Sequence, residues 1–163
     1  MVAAEAVPQR IRRLVCLSAF LVKNGDSFVD VRSYPGYPAN PGPPHFEFSA
    51  DGRVITAIPS LVRARWYNDC TDADIDFAIA HYKPVPAEEL TAPVNITAAG
   101  FGSVPKSYIH CTLDHGAEPA LQETMADAAG CGPNFTLPTS HSPFLSAPAL
   151  LADTLVKAAE LPV

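Results

Sequence analysis

The hydrophobic and polar positions along the chain fall into short apolar runs separated by turn-rich segments. A nearly continuous apolar run covers residues 12–21 (RRLVCLSAFL), which is typical of a parallel strand buried on both faces. Two more strands are predicted in KSYIHCTLDHG and NFTLP, and helices are predicted in PALQETMADAAGCG and SAPALLADTLVKAAEL. The last helix is expected to place Leu150, Leu151, Leu155 and Ala158 on its apolar face. Strands that alternate with helices in this way predict βαβ units and a parallel sheet.

The segment between the first two strands has a different character. Five prolines lie between Tyr34 and Phe48, so no regular element is expected there. RVITAIPSLV, residues 53–62, is predicted to form a short strand or a turn. NDCTDADIDFAIAHYKP predicts a helix with Thr71 as its N-cap and Pro84 as its stop.

Composition narrows the class of protein. The 163 residues are 48% hydrophobic and 17% charged, which indicates one globular domain. The formal net charge is −6, and the longest basic run is RIRR at residues 10–13, so nucleic acid is not an expected partner. The sequence has no apolar run long enough for a membrane span and no secretory signal pattern, and we therefore expect a cytoplasmic protein.

Cysteine and histidine spacing does not suggest a metal or a cofactor. The four cysteines contain no C-x-x-C pair, so buried reduced thiols are expected instead of disulfides or zinc ligands. His110 and His115 lie near one another, but one belongs to a predicted strand and the other to a loop, which does not match a metal-ligand pattern. Neither a metal ion nor an organic cofactor is implied.

Two polar residues follow neighbouring predicted strands. Asp114 comes after the second strand and His141 after the third. Functional side chains in open α/β sheets gather beyond the carboxyl ends of strands, so these two residues are placed as an acid–base pair would be. From the pattern alone, an ordinary loop histidine at position 141 remains an open alternative.

Several segments resemble the α/β-hydrolase superfamily. YIHCTLD followed by TSHSPFLSAP resembles its last two motif segments, in the branch of plant methyl-ester esterases, hydroxynitrile lyases and bacterial esterases. VPQRIRRLVCLSAFL resembles the family's sixth strand, and AAGFGSVPKSYIHCT resembles the approach to its seventh. RARWYNDCTDADIDFAIAHYKP resembles the cap inserted between them. The resemblance extends over essentially the whole chain.

The resemblance implies a partial α/β-hydrolase fold. Three parallel strands, the family's sixth to eighth, would be flanked by helices, with a mostly irregular or helical cap. Residues 1–22 and 94–163 would form the core and residues 23–93 the cap. Asp114 matches the acid and His141 the base of the family's Ser-His-Asp triad.

The family's nucleophile has no counterpart in this sequence. No G-x-S-x-G occurs in the 163 residues, and the resemblance covers only the C-terminal half of a hydrolase. Four serines are possible substitutes, and none has the strand-to-helix context of a nucleophile: Ser18, Ser103, Ser140 and Ser142. The expected function is therefore the C-terminal portion of a serine carboxylic-ester hydrolase whose serine lies outside this chain. The alternative is a non-catalytic, hydrolase-derived binding or interaction module.

Substrate and partners follow from the same resemblance. A small ester with an apolar part is expected, because the sequence shows no basic cluster. Hydroxynitrile lyases of this branch carry lysine where this chain has Ser142, which favours ester hydrolysis over cyanohydrin cleavage. Trp66 and Tyr67 would either line the substrate pocket or pack the cap. The first strand would expose an apolar edge, so we expect a companion N-terminal half or a homo-oligomer.

Overall fold

A parallel sheet forms the centre of the molecule. The computed structural model describes residues 1–162. Within that range the chain forms six strands: β1 (Leu14–Leu17), β2 (Phe46–Phe48), β3 (Val54–Ala57), β4 (Val85–Pro86), β5 (Lys106–Cys111) and β6 (Phe135–Leu137). The parallel sheet has the order β1-β5-β6, with Cys16 opposite Tyr108 and Cys111 opposite Leu137. The three predicted strands are therefore present and parallel.

Helices cover both faces of this sheet. The described residues form seven: α1 (Val2–Ala6), α2 (Pro59–Trp66), α3 (Asp72–Ala80), α4 (Glu88–Thr91), α5 (Pro119–Ala128), α6 (Pro143–Ser146) and α7 (Pro148–Glu160). On one face Tyr108 packs against Leu121 of α5, and on the other Ile109 packs against Leu151 of α7. Successive strand residues point to opposite faces, so a continuous apolar run is what a doubly covered strand requires. None of these helices is long and apolar enough to cross a membrane.

The first strand is shorter than its apolar run predicts. The run covers residues 12–21, but β1 ends at Leu17 because Ser18 has a φ of +44°. A positive φ takes the backbone out of the extended region and turns the chain away from the sheet. Leu21 and Val22 are buried beyond this turn, where they join the core under α5.

The apolar face of α7 differs from the prediction. Leu151 and Ala158 are buried as expected, but Leu150 and Leu155 are 42% and 41% exposed. Thr154 takes their place in the buried stripe, since 151, 154 and 158 follow the spacing of one helix face. Its hydroxyl donates to the carbonyl of Leu150 at 2.8 Å, which satisfies the polar group inside the interface.

The inserted segment contains more regular structure than its composition suggests. Strands β2, β3 and β4 form a small antiparallel sheet, although no element was expected before Phe48. All five prolines precede Phe46, so residues 46–48 keep their backbone N–H groups and pair with β3. RVITAIPSLV forms β3 and the start of α2. The predicted helix is α3, and Thr71 caps it by accepting the Asp74 N–H at 3.2 Å.

The outer edge of the parallel sheet is open at β1. The amides of Leu14 and Ser18 donate to Pro105 and Ile109 in the β5 direction, so those of Val15 and Leu17 point to the other side. In this sheet β1 has β5 as its only strand neighbour among the described residues. An uncovered strand edge is a template for pairing with another chain.

We expect the 163-residue chain to self-associate through β1. Val15→Pro removes an N–H that serves no bond within the sheet, and it blocks the addition of a strand at that edge. Size-exclusion chromatography with light scattering should therefore show an oligomer for the natural chain and a monomer for Val15→Pro.

Val156→Ser is the matched control for this prediction. Val156 is 57% exposed on α7, so the change removes apolar surface elsewhere on the molecule. This variant should associate like the natural chain. A monodisperse monomer of the natural chain, or dissociation caused by Val156→Ser alone, would contradict a role for the strand edge.

Candidate active site

The two residues predicted from the loops after β5 and β6 are in direct contact. His141 Nδ1 lies 2.8 Å from Asp114 Oδ2. A carboxylate only accepts hydrogen bonds, so the Nδ1 atom carries the proton in this contact. The Asp114 side chain is fully buried, whereas that of His141 is 26% exposed. The contact therefore fixes the imidazole ring and leaves its Nε2 without a partner among residues 1–162.

The loop after β5 is built to hold a buried carboxylate. Asp114 Oδ1 accepts the backbone N–H groups of Gly116 at 2.6 Å and Ala117 at 3.0 Å. Gln122, fully buried on α5, donates to Asp114 Oδ2 at 3.2 Å. Its amide also bonds the backbone N–H and carbonyl of Cys111, at 2.9 and 3.0 Å. Gln122 thus connects the end of β5 to the carboxylate, and both oxygens of Asp114 are satisfied inside the protein.

Backbone hydrogen bonds join the acid loop to the base loop. The amide of Thr112 donates to the carbonyl of Leu137 at 3.0 Å, and that of Leu113 donates to Thr139 at 2.9 Å. These bonds continue the β5–β6 pairing past the strand ends. They bring Asp114 and His141, 27 residues apart in sequence, to the same edge of the sheet.

Two consecutive cap residues hold the chain on either side of this pair. Asn68 Nδ2 donates to the carbonyl of Leu113, the residue before Asp114, at 3.0 Å. Asp69 Oδ2 accepts the N–H of Ser140, the residue before His141, at 2.8 Å. The same oxygen accepts the Ser146 hydroxyl at 3.0 Å. Asn68 and Asp69 therefore anchor the acid loop and the base loop to one point of the cap.

The electrostatics of Asp69 reflect these contacts. Burial raises the pKa of Asp69, but the hydrogen bonds from Ser140 and Ser146 outweigh burial and hold the pKa below its usual value. Asp69 is therefore ionised at neutral pH, which strengthens the bonds that it accepts.

The two cap aromatics have separate roles. Trp66 stacks on His141 with ring centroids 6.1 Å apart and lines a cavity of about 250 Å³ beside it. A Cβ at Gly116 would lie 2.6 Å from Trp66 Cδ1, so glycine is needed where the acid loop passes this ring. Tyr67 is buried and accepts a hydrogen bond from Tyr82 at 3.0 Å within the cap. Trp66 thus lines the cavity, and Tyr67 packs the cap.

No serine hydroxyl within residues 1–162 hydrogen-bonds a ring nitrogen of His141. Ser103 donates to the carbonyls of Ala99 and Gly100, and Ser140 donates to the carbonyl of Trp66. Ser142 is buried, and its backbone N–H lies 3.4 Å from the Ser140 hydroxyl. Ser18 is also buried, and its hydroxyl has no partner in the described part of the chain.

The other histidines and the cysteines lie apart from this pair. His110 stacks on Tyr108 within β5, and His115 Nδ1 lies 3.1 Å from the carbonyl of Ala64. Cys16 and Cys111 are buried on the neighbouring strands β1 and β5, and all four cysteines are free thiols. Among residues 1–162 no group of three or more His, Cys, Asp or Glu side chains is arranged to hold a metal ion.

Comparison with known proteins gives matches to esterases. Methylesterase 18 of Arabidopsis thaliana is 33% identical over 103 residues, which cover 62% of this chain and 39% of that protein. Four other Arabidopsis thaliana proteins with methylesterase names are similar over 98% of the chain at 24 to 28% identity. No family model matches the chain.

Solved structures give the same result for the fold. Polyneuridine aldehyde esterase superposes with a TM-score of 0.80 at 19% identity, over 97% of this chain and 66% of that one. A pyrethroid hydrolase superposes with a TM-score of 0.77 at 22% identity, over 99% of this chain and 65% of that one. The chain spans about two fifths of the length of the curated relatives that it matches. The resemblance and the fold predicted from the sequence are confirmed.

Sequence reasoning missed the residues that support the pair. Gln122 lies in a predicted helix and carries no motif, and Asn68 was noted only as part of the cap segment. The one sequence signal for Asn68 and Asp69 is that they lie in RARWYNDCTDADIDFAIAHYKP, the segment that resembles the family's cap. Their contacts span 45 and 71 positions along the chain, which no local pattern encodes.

We expect Asp69→Ala to loosen the base loop. The change removes both bonds to Asp69 Oδ2, and the free energy of unfolding should fall by about 1–2 kcal/mol. In the proton NMR spectrum the Nδ1 proton of His141 should give a low-field signal in the natural chain, and this signal should broaden or disappear in Asp69→Ala because the freed loop exposes it to solvent.

Asp76→Ala is the control, because Asp76 is exposed on α3 and its side chain makes no hydrogen bond within the described residues. It should leave the His141 resonance unchanged.

The stabilisation that Asp69 contributes should also depend on pH. Because its pKa is lowered in the folded state, this stabilisation is fully present above the unfolded pKa of about 3.9, and it is lost as the pH falls through the folded pKa. The stability difference between the natural chain and Asp69→Ala should therefore narrow below that pH. An unaltered His141 resonance in Asp69→Ala would refute the anchoring role.

Proposed function

We propose that this chain, whose fold over residues 1–162 is similar to part of the α/β-hydrolase fold, supplies the acid and the base of a Ser-His-Asp carboxylic-ester hydrolase. Asp114 is the acid and His141 is the base. The proposal rests on one observation above all, the 2.8 Å contact between a fully buried carboxylate and a partly exposed imidazole at the strand ends.

The geometry supports a defined order of proton transfers. With its Nδ1–H held by Asp114, the imidazole presents an unprotonated Nε2, which takes the proton of a serine hydroxyl as that oxygen attacks the ester carbonyl. Asp114 stabilises the imidazolium that forms. His141 then gives the proton to the departing alcohol. In the second half of the cycle it takes a proton from water as the water attacks the acyl-enzyme, and it returns that proton to the serine oxygen as the acid is released.

The nucleophile and the oxyanion donors are proposed to come from outside these 163 residues. The sequence holds no G-x-S-x-G, and no serine of the described chain bonds to His141. Backbone amides near the nucleophile would hold the tetrahedral oxyanion. A companion segment that carries these groups would pair with the open edge of β1, where two amides already point outward.

An ester is the substrate class that the surroundings of His141 support. The cavity beside the ring is mainly apolar, lined by side chains such as Phe20, Phe28 and Phe46. Esterases recur among the similar proteins. Ser142 brings no positive charge next to the base, which supports ester hydrolysis over the release of cyanide.

A non-catalytic binding module is the second candidate. The observation that favours it is the absence of a nucleophile bonded to His141 within residues 1–162, together with a cavity that exists without one. The two candidates differ in what happens when a nucleophile is supplied.

We expect the isolated chain to hydrolyse p-nitrophenyl butyrate at the background rate. Co-expression with the segment of a methylesterase relative that carries its G-x-S-x-G should produce activity. Asp114→Asn or His141→Gln should then lower kcat by on the order of 10³–10⁴, because the base loses its orientation or is removed. The measurement is the release of p-nitrophenol from the purified complex.

His81→Gln is the control, since His81 is an exposed cap histidine whose Nδ1 lies 2.7 Å from the carbonyl of Phe77. It should leave the rate unchanged. Hydrolysis by the isolated chain that survives His141→Gln would count against the assigned base. A purified complex that stays at background would favour the binding module.

A further inference from the structure

A second cavity shares part of its wall with the cavity beside His141. A neighbouring cavity of about 230 Å³ adjoins the one of about 250 Å³ that His141 lines. The two have five wall residues in common: Arg32, Tyr37, Pro44, His45 and Arg65. Four of these five side chains are polar or charged, whereas aromatic and aliphatic side chains dominate the rest of the larger cavity. We call the shared region the arginine branch.

The two guanidinium groups of this branch lack an anionic partner. Neither Arg32 nor Arg65 lies within 4.0 Å of a carboxylate oxygen among residues 1–162. Arg65 uses one nitrogen, Nη1, for a long bond of 3.3 Å to the carbonyl of His115. By contrast Arg63, on the same helix, pairs with Asp72 at 2.7 Å. Arg32 and Arg65 therefore keep their charges without a neutralising carboxylate, as Arg53 does elsewhere in the cap, and what sets them apart is their place in the wall of both cavities.

His45, which lines both cavities together with the two arginines, adds no charge of its own at neutral pH. Burial, followed by the charges of Arg65, His141 and Arg32, lowers the pKa of His45 to about 4. His45 is thus neutral at pH 7 and offers hydrogen bonds without further charge. A Cβ at Gly42 would lie 3.2 Å from Arg65 Nη2, so the glycine lets the proline-rich loop pass close to the guanidinium.

The proximity of Arg32 and Arg65 to one cavity cannot be predicted from the sequence. Arg32 lies in the 3₁₀ turn at Phe28–Ser33, and Arg65 lies in the last turn of α2, so no basic cluster is visible along the chain. The protein as a whole has a net charge of −6. A local positive site on an acidic protein attracts anions to that site and not to the surface in general.

We propose that the arginine branch binds a carboxylate of the substrate, whose ester group lies beside His141. The inference rests on the proposed function and names its substrate class, the half-esters of apolar dicarboxylic acids. The planar guanidinium groups match a carboxylate with paired hydrogen bonds. The apolar part of the substrate lies against Phe28, Phe46 and Trp66.

Binding can be tested apart from hydrolysis with the natural chain. Trp66 is the only tryptophan, and it lines the cavity, so its fluorescence reports occupancy. The probes are monomethyl suberate and its neutral counterpart, dimethyl suberate. The half-ester should bind on the order of tenfold more tightly, and this preference should shrink in high salt because it is electrostatic.

Single variants locate the effect. Arg32→Gln and Arg65→Gln should each lower the affinity for monomethyl suberate by roughly fivefold and leave the affinity for dimethyl suberate unchanged. Arg63→Gln is the matched control, because Arg63 lines neither cavity, and it should change neither affinity. Circular dichroism melts confirm that each variant is folded before its affinity is compared.

The outcomes separate this proposal from the proposed function. Equal affinity for the two esters, no measurable binding of either, or the same loss in Arg63→Gln would overturn the arginine branch and leave the catalytic assignment untouched. A half-ester preference that depends on Arg32 and Arg65 upholds it. That result would hold even if no complex of the chain hydrolysed any ester, in which case only the catalytic assignment would fail.

Discussion

The buried carboxylate of Asp114 is the constraint on which the functional end of the molecule depends. A carboxylate that is fully buried must be paired and hydrogen-bonded, since an isolated buried charge is strongly unfavourable. Here two backbone N–H groups, the amide of Gln122 and the ring of His141 meet that requirement together. The strand end, the start of α5 and the base loop are therefore held in a single arrangement. Removing any one partner would leave the buried carboxylate with one hydrogen bond fewer where water cannot replace it.

The cap takes part in this arrangement and is more than a cover. Asn68 and Asp69 bond the residues immediately before Asp114 and His141, while Trp66, from the end of α2, stacks on the imidazole. The same short segment thus positions the pair and forms a wall of the cavity. A substrate that moves the cap would consequently act on the orientation of the base as well as on its access.

Local patterns sufficed for the three parallel strands, because a doubly buried strand needs a continuous apolar run. They also sufficed for the strand-end positions of Asp114 and His141. They were insufficient where a contact depends on distant residues. Strand β2, for example, is defined by its pairing with β3, and the bonds of Asn68 and Asp69 to the acid and base loops span 45 and 71 positions. The arginine branch is a third case, since residues from two separate elements meet across a cavity.

Only some of the groups that the proposed reaction requires are present in this chain. Asp114, His141, their supports, the apolar cavity and the arginine branch are all built from this chain, whereas the nucleophile and the oxyanion donors are proposed to come from elsewhere. Selection of the substrate and orientation of the base would then belong to one segment, and bond formation to another. Under the proposed function, this division would place most determinants of specificity in the cap, the part of the chain with the most irregular sequence. Because its bonds to the acid and base loops lie at Asn68 and Asp69, outside the cavity walls, a lining residue such as Phe28 can vary without loss of these bonds.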